Sequence, residues 1–325
     1  MPQLPTTMDW RTLAARADER IAPHVRRTPL LESGWLSAET GATALLKLES
    51  LQHTGSFKLR GALNKVLSLA PEDRARPIVT ASTGNHGAAV AYALARVGLT
   101  GTVYVPHDAE PSKVARIERL GARVVAHGRD SAEAECYARA LADREGHVYI
   151  SPYNDPEVVV GQGTAGLEIV RALDRVDAIV VAVGGGGLIS GVAGVIKATW
   201  PDAVVIGAAP RASAVMLESV RAGRILELES EPTLSDGTAG GVEADAITFP
   251  WCRDLVDEWD AVSEDEIAAA MRRVMLDDHL VVEGAAAVAV ASAERTGRRF
   301  VGGRIVALVC GGNVGPGTIR KVLEG

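Results

Sequence analysis

The stretch Ala178-Ile179-Val180-Val181-Ala182-Val183-Gly184-Gly185-Gly186-Gly187-Leu188 decides how this 325-residue chain is read. Its first six residues are apolar without alternation, the pattern of a strand covered on both faces. A helical pattern follows over 188–199. Four successive glycines make a poor plain turn, because each loses much backbone entropy on folding. They make sense where backbone must wrap an anion closely, with N–H groups and a helix dipole facing it. The loop is not the dinucleotide fingerprint: G-x-G-x-x-G begun at Gly184 or Gly185 meets Ile189 or Ser190, and begun at Gly186 it meets Leu188. No lysine precedes Ser or Thr, so there is no Walker loop. The reading is a phosphate loop of another kind.

Outward from this loop, short apolar runs alternate with longer amphipathic ones. Strands are predicted over 43–47, 77–81, 102–106, 123–127, 148–151, 178–183, 204–208 and 304–309. Helices are predicted over 57–69, 85–97, 112–120, 132–144, 158–173 and 188–199. Another starts at Glu264, with Ser263 as N-cap and Glu266 completing a capping box. Such alternation predicts an α/β protein with parallel sheets. At about 150 residues per domain the length suggests two domains, but no linker, repeat or low-complexity tract marks a boundary.

Composition narrows the function. Hydrophobic residues are 47% and charged residues 23%, as in globular proteins. A net charge of −7 leaves no cationic surplus for a general polyanion binder, and five Trp, five Tyr and three Phe offer few stacking platforms. Nucleic acid is therefore not expected as a partner. Cys136, Cys252 and Cys310 are too few and too scattered for a disulfide framework or a structural zinc site. Residues 1–20 lack an apolar h-region, and no uncharged apolar run reaches a membrane span. The expectation is a cytoplasmic protein with no membrane partner.

Ligands of open α/β sheets bind beyond the carboxyl ends of strands, so three further turns matter. In Thr54-Gly55-Ser56-Phe57-Lys58-Leu59-Arg60-Gly61, Lys58 reads either as a surface lysine at a helix start or as a partly desolvated, nucleophilic amine. Ala81-Ser82-Thr83-Gly84-Asn85-His86-Gly87 reads either as an N-cap turn or as hydroxyls, an amide and free N–H groups around a carboxylate or phosphate. In Val309-Cys310-Gly311-Gly312-Asn313, Cys310 is either a small buried hydrophobe or a group beside a ligand.

Together, S-F-K-L-R-G, S-T-G-N-H-G, G-G-G-G-L and C-G-G-N, in this order, resemble the serine/threonine dehydratase family. These are fold-type II pyridoxal 5'-phosphate (PLP) enzymes, similar to tryptophan synthase β and related to serine racemase. The likeness runs from Thr28-Pro29-Leu30 to Asn313. It implies two domains, each with a largely parallel twisted sheet flanked by helices: 1–76 with 152–325 as the large PLP-binding domain and 77–151 as the small one, without a C-terminal regulatory domain. Lys58 would hold PLP as a Schiff base and later act as general base on Cα; Phe57 would pack on the ring and Asn85 would bond its 3-hydroxyl oxygen. Gly184, Gly185, Gly186, Gly187 and Leu188 would cradle the phosphate, and Cys310 would face the ring nitrogen. A thiol is a weak acid, pKa about 8.5, so it would leave that nitrogen largely unprotonated and favour loss of a β-leaving group. Ser82, Thr83, Gly84 and His86 would grip the substrate carboxylate. The implied activity is a lyase of amino-acid catabolism, a dehydratase/ammonia-lyase taking a β-hydroxy-L-amino acid, L-threonine, L-serine or a bulkier analogue such as L-phenylserine, to a 2-oxo acid and ammonia. The implied assembly is a homodimer.

Departures from the family pattern qualify this. Thr83 stands where the racemase has its second acid/base serine, and β-branching restricts its rotamers. Ala209 and Val215 stand where relatives carry carboxylates for a divalent cation, so no metal is expected there. His53 replaces a position often basic in relatives and reads as a substrate neighbour or as a surface histidine. The small residues of 235–243 leave room for a bulky β-substituent. Competing readings are a 3-hydroxyaspartate or hydroxyectoine-pathway dehydratase, an amino-acid racemase, and a binding protein that keeps the fold.

Overall fold

A computed structural model describes residues 8–324. Ten strands run in chain order: β1 Leu30–Glu32, β2 Thr43–Leu48, β3 Ile78–Ala81, β4 Thr102–Val105, β5 Arg123–Ala126, β6 Val148–Tyr149, β7 Ala178–Ala182, β8 Val204–Pro210, β9 Glu258–Val262 and β10 Arg304–Val309. They form two sheets, a six-stranded one ordered β1-β2-β10-β7-β8-β9 and a four-stranded one ordered β5-β4-β3-β6. Every pairing is parallel except β1 with β2. The expected α/β architecture with largely parallel sheets is the one observed.

The predicted strands are present with ends shifted by one or two residues. The expected 148–151 run pairs only over Val148–Tyr149. Two edge strands escape a hydrophobic reading. β9, Glu-Trp-Asp-Ala-Val, is half-buried over most of its length, and β1 is three residues long. The capping box at Ser263 and Glu266 is present, with Ser263 Oγ accepting from the Glu266 N–H and Glu266 returning the bond. The inner strands of both sheets, β2, β10, β7 and β8 in one and β4 and β3 in the other, are built mainly from buried Val, Ile, Leu and Ala.

Two close helix contacts place the first candidate turn. Helix Lys58–Ser68 lies against helix Pro156–Ala172, where a Cβ on Gly161 would stand 2.7 Å from Gly61 Cα. Helix Pro156–Ala172 in turn meets helix Gly187–Thr199, where a Cβ on Gly191 would stand 2.3 Å from Val159 O. Glycine at these crossings lets three backbones approach and fixes the start of the Lys58 helix relative to the four-glycine loop. Beneath that start, Arg60 is fully buried, making a bidentate pair with Glu49 at 2.7 and 2.8 Å and a bond to Glu168 at 2.8 Å. Lys47 closes the network on Glu168 at 2.5 Å. No helix among the described residues is long and apolar enough to cross a membrane.

Candidate active site

The four turns meet around one cavity of about 1010 Å³ between the two sheets. Lys58 opens its helix directly after Phe57, whose N–H donates to Cys310 O at 2.9 Å. The neighbouring Ser56–Gly311 bridge adds a second tie, so the lysine turn is stitched to the end of β10. The Lys58 amine donates to Pro152 O at 2.9 Å and lies 5.2 Å from the Phe57 ring centre. The side chain keeps some accessibility through the cavity, but protein surrounds the amine. That desolvation lowers its pKa to about 8, against weaker opposing pulls from Glu135, Cys310 and Glu283. No salt bridge ties Lys58 among the described residues.

In the second turn Gly84, not Ser82, Thr83 or Asn85, is the N-cap of helix Asn85–Arg96, and it makes no side-chain cap bond. Ser82 Oγ instead accepts from Gly84 N–H at 3.1 Å, which shapes the turn. The helix start faces the cavity with Ser82, Thr83, Gly84, Asn85 and His86 all on its wall. His86 is buried, its Nε2 3.0 Å from Ile150 O, and burial with the Lys58 charge holds its pKa down to about 3. It is therefore a neutral imidazole, a hydrogen-bonding rather than ionic group.

The glycine loop is dictated by what crosses it. Gly186 has φ +83 and caps helix Gly187–Thr199, a conformation that costs other residues about 1–2 kcal/mol. A Cβ on Gly185 would lie 2.5 Å from the Tyr153 ring, and one on Gly184 2.9 Å from Thr238 O. A side chain at either position would collide with Tyr153 or with the Thr238 backbone. Tyr153 ties this loop to the opposite wall, since its hydroxyl accepts from Glu243 N–H at 2.9 Å. Its importance is invisible in the sequence, where it stands as one tyrosine in a loop.

Cys310 is buried at the end of β10, and burial with the nearby Glu283 charge raises its pKa well above the usual value. Glu283 itself was not expected. It is buried, accepts from both Asn85 Nδ2 (2.9 and 3.0 Å) and Asn313 N–H (3.1 Å), and stands 3.9 Å from Cys310 Sγ. Desolvation pushes its pKa up to about 7. Its one sequence signal is an isolated acid between Val282 and the small-residue run 284–287. A further charged cluster lines the cavity: Arg139 meets Glu243 at 2.5 Å and Glu135 at 3.8 Å, and Tyr149 OH donates to Glu135 at 3.2 Å.

The remaining candidates lie elsewhere. His53 is exposed and stacks on Tyr92 at 5.6 Å, away from the cavity wall, which favours the surface reading. Ala209 and Val215 are buried and apolar. Cys136, by contrast, is exposed but lines the cavity; Cys252 is buried under the glycine loop, its pKa raised to about 12 by desolvation.

These features fit PLP. An amine of lowered pKa suits its aldehyde, a glycine-lined helix start suits its phosphate, and a buried thiol of raised pKa suits a ring nitrogen that is not to be protonated. A fold-type II PLP enzyme is the class this arrangement defines. A family model described as pyridoxal-phosphate dependent enzyme matches residues 21–311. The chain is 43% identical to an L-threonine ammonia-lyase of Thermotoga maritima over 92% of this chain and 74% of that one. It superposes on the processed form of threonine deaminase isoform 2 from Solanum lycopersicum with TM-score 0.93 and 32% identity, covering 100% of this chain and 95% of that one. It superposes on maize serine racemase with TM-score 0.89 and 33% identity, covering 96% of each. The chain belongs to the serine/threonine dehydratase family of fold-type II PLP-dependent enzymes. It is a PLP-dependent ammonia-lyase.

Proposed function

We propose that the enzyme deaminates a β-hydroxy-L-amino acid, L-threonine first among them, to a 2-oxo acid and ammonia. The observation that carries this reading is the buried Lys58 amine of lowered pKa, set between the glycine loop and the Ser82–His86 turn. When bound, PLP supplies an electron sink for the pair left by the broken Cα–H bond. Lys58 would hold the cofactor through its amine and, once free, take the Cα proton; an amine pKa of about 8 suits a base working near neutrality. Backbone amides of Gly184 to Leu188 would hold the phosphate and Phe57 would flank the ring. Asn85 would bond the 3-oxygen and Cys310 would face the ring nitrogen. The N-terminus of helix Asn85–Arg96, with Ser82, Thr83 and neutral His86, would hold the substrate carboxylate.

The small residues Ala239, Gly240 and Gly241 on the facing wall support acceptance of β-substituents larger than a methyl group, L-phenylserine included. In this reading 77–151 acts as the small domain against 1–76 and 152–325. A homodimer and a cytoplasmic location accompany it by family analogy. The test is absorbance of the purified protein followed by 2-oxo acid release from L-threonine, L-serine, L-phenylserine and 3-hydroxyaspartate. A visible cofactor band that Lys58→Ala abolishes, with turnover of L-threonine, is the expected result. A band without oxo acid from any of the four overturns the assignment and favours racemisation, which Thr83 at the racemase serine position disfavours.

A further inference from the structure

Glu283 has no place in the reaction as described so far, yet it touches both groups assigned to the cofactor's polar atoms. One carboxyl group receives three donors: Asn85 Nδ2, Asn313 N–H and, at 3.9 Å, Cys310 Sγ. These donors come from the Asn85 helix start and from the loop after β10. The contacts are tight enough to dictate the chain around them, since a Cβ on Gly311 would fall 2.4 Å from Glu283 Oε1. No cation pairs with Glu283 among the described residues; Arg116, Asp236, Lys58 and Cys310 are the charged or titratable groups that face it. A buried carboxylate without a counter-ion is costly, and an amide at this position would carry no charge.

We propose that Glu283 is a positioning residue that decides which way the Cys310 thiol proton points and thereby tunes the cofactor ring nitrogen. As a carboxylate it takes the Sγ–H hydrogen bond and withholds that donor from the ring. It also takes one Asn85 amide proton, leaving the other for the 3-oxygen, while Asn85 Oδ1 is occupied by Asn313 Nδ2 at 2.6 Å. When Glu283 is protonated or replaced by Gln, three donors face one carbonyl oxygen and an O–H or NH2 group that itself donates. Among the three, sulfur alone can turn from donor to acceptor, so the thiol reverses and donates to the ring nitrogen. A donor there strengthens the electron sink, which favours return of the Cα proton over loss of the β-hydroxyl. Since burial raises the Glu283 pKa to about 7, the reversal falls near neutral pH.

The inference rests on the ring placement over Cys310 proposed above. The test compares PLP-loaded wild type, Glu283→Gln and Cys310→Ala. Two quantities are read: the visible absorption of the bound cofactor across pH 6–9, and deuterium gained at Cα by recovered L-threonine in heavy water relative to 2-oxo acid formed. Wild type is expected to show a spectral midpoint near pH 7. Glu283→Gln is expected to lose that midpoint, keep the low-pH form throughout, and raise the exchange-to-elimination ratio severalfold. A Glu283→Gln protein that loads PLP and keeps the wild-type midpoint and ratio overturns the inference. Should that variant fail to fold or load, Cys310→Ala decides: removing the thiol disconnects carboxyl from ring, so loss of the midpoint supports the inference and its retention overturns it. Retention with bands displaced from wild type keeps the ring beside Cys310 and sinks the Glu283 role alone, whereas a Cys310→Ala spectrum identical to wild type at every pH sinks the ring placement as well.

Discussion

Lys58→Met should make the cofactor-free protein more stable while abolishing its function. The Lys58 pKa falls from 10.5 to about 8 because burial penalises its charged form. A base whose folded pKa is depressed costs stability below the folded value and ceases to do so as pH rises towards the unfolded one. At about 1.4 kcal/mol per pH unit, the fall is worth about 3 kcal/mol at pH 7. Water reaching the amine through the cavity screens part of this, and the bond to Pro152 O, lost in the variant, returns about 1 kcal/mol. Methionine is unbranched and similar in length, so little packing is lost. The net gain is about 1–2 kcal/mol at pH 7, shrinking by at least half at pH 9.5, where the wild-type amine is largely neutral. Urea unfolding of both proteins, stripped of PLP, at the two pH values measures it. A variant less stable than wild type at pH 7, or a gain that does not shrink, refutes the picture of a desolvated amine.

Three other expectations follow from contacts. Gly185→Ala places a methyl carbon 2.5 Å from the Tyr153 ring, so Tyr153 must shift and the loop open; equilibrium dialysis should show PLP affinity reduced about tenfold or more, the loss of about 1.4 kcal/mol. Arg60→Met leaves Glu49, which is 0% exposed, without its partner, and should cost about 3–5 kcal/mol in urea unfolding, while adding Glu49→Gln should recover much of it. Thr83→Ser frees a hydroxyl from β-branching, and should raise racemisation of L-serine relative to elimination, read by chiral chromatography.

What local sequence conveyed and what it could not divides along range in the chain. The strand Ala178–Ala182, the Gly186 cap and the helix behind it are written in consecutive residues, because strand burial, anion wrapping and helix initiation are local demands. The Lys58, Ser82–His86 and Cys310 turns were legible for the same reason. Edge strand β9 was not, since an edge carries half-exposed polar residues that break the apolar pattern. The groups that set the site's electrostatics were harder still. Tyr153 and Glu243 are 90 residues apart, and Asn85 and Glu283 are 198 apart. No periodicity links such positions; they meet because two sheets face each other across the cavity.

That division bears on how this chain does its chemistry. Local motifs bring the Lys58 amine, the four-glycine loop and the Ser82–His86 helix start to one cavity, and they are the residues that carry the family likeness. They say nothing of the environment that sets each group's proton. The Lys58 amine has a lowered pKa because surrounding protein, not its neighbours in sequence, removes water from it. Cys310 is a poor acid because it is buried beside Glu283, 27 residues away. Cofactor binding can therefore persist in a relative that keeps the four motifs, while the outcome of the reaction drifts with long-range partners such as Glu283 and Thr83. Comparing elimination with exchange in Glu283 and Thr83 variants of one loaded protein separates those two layers, since PLP occupancy should stay constant while the product ratio moves.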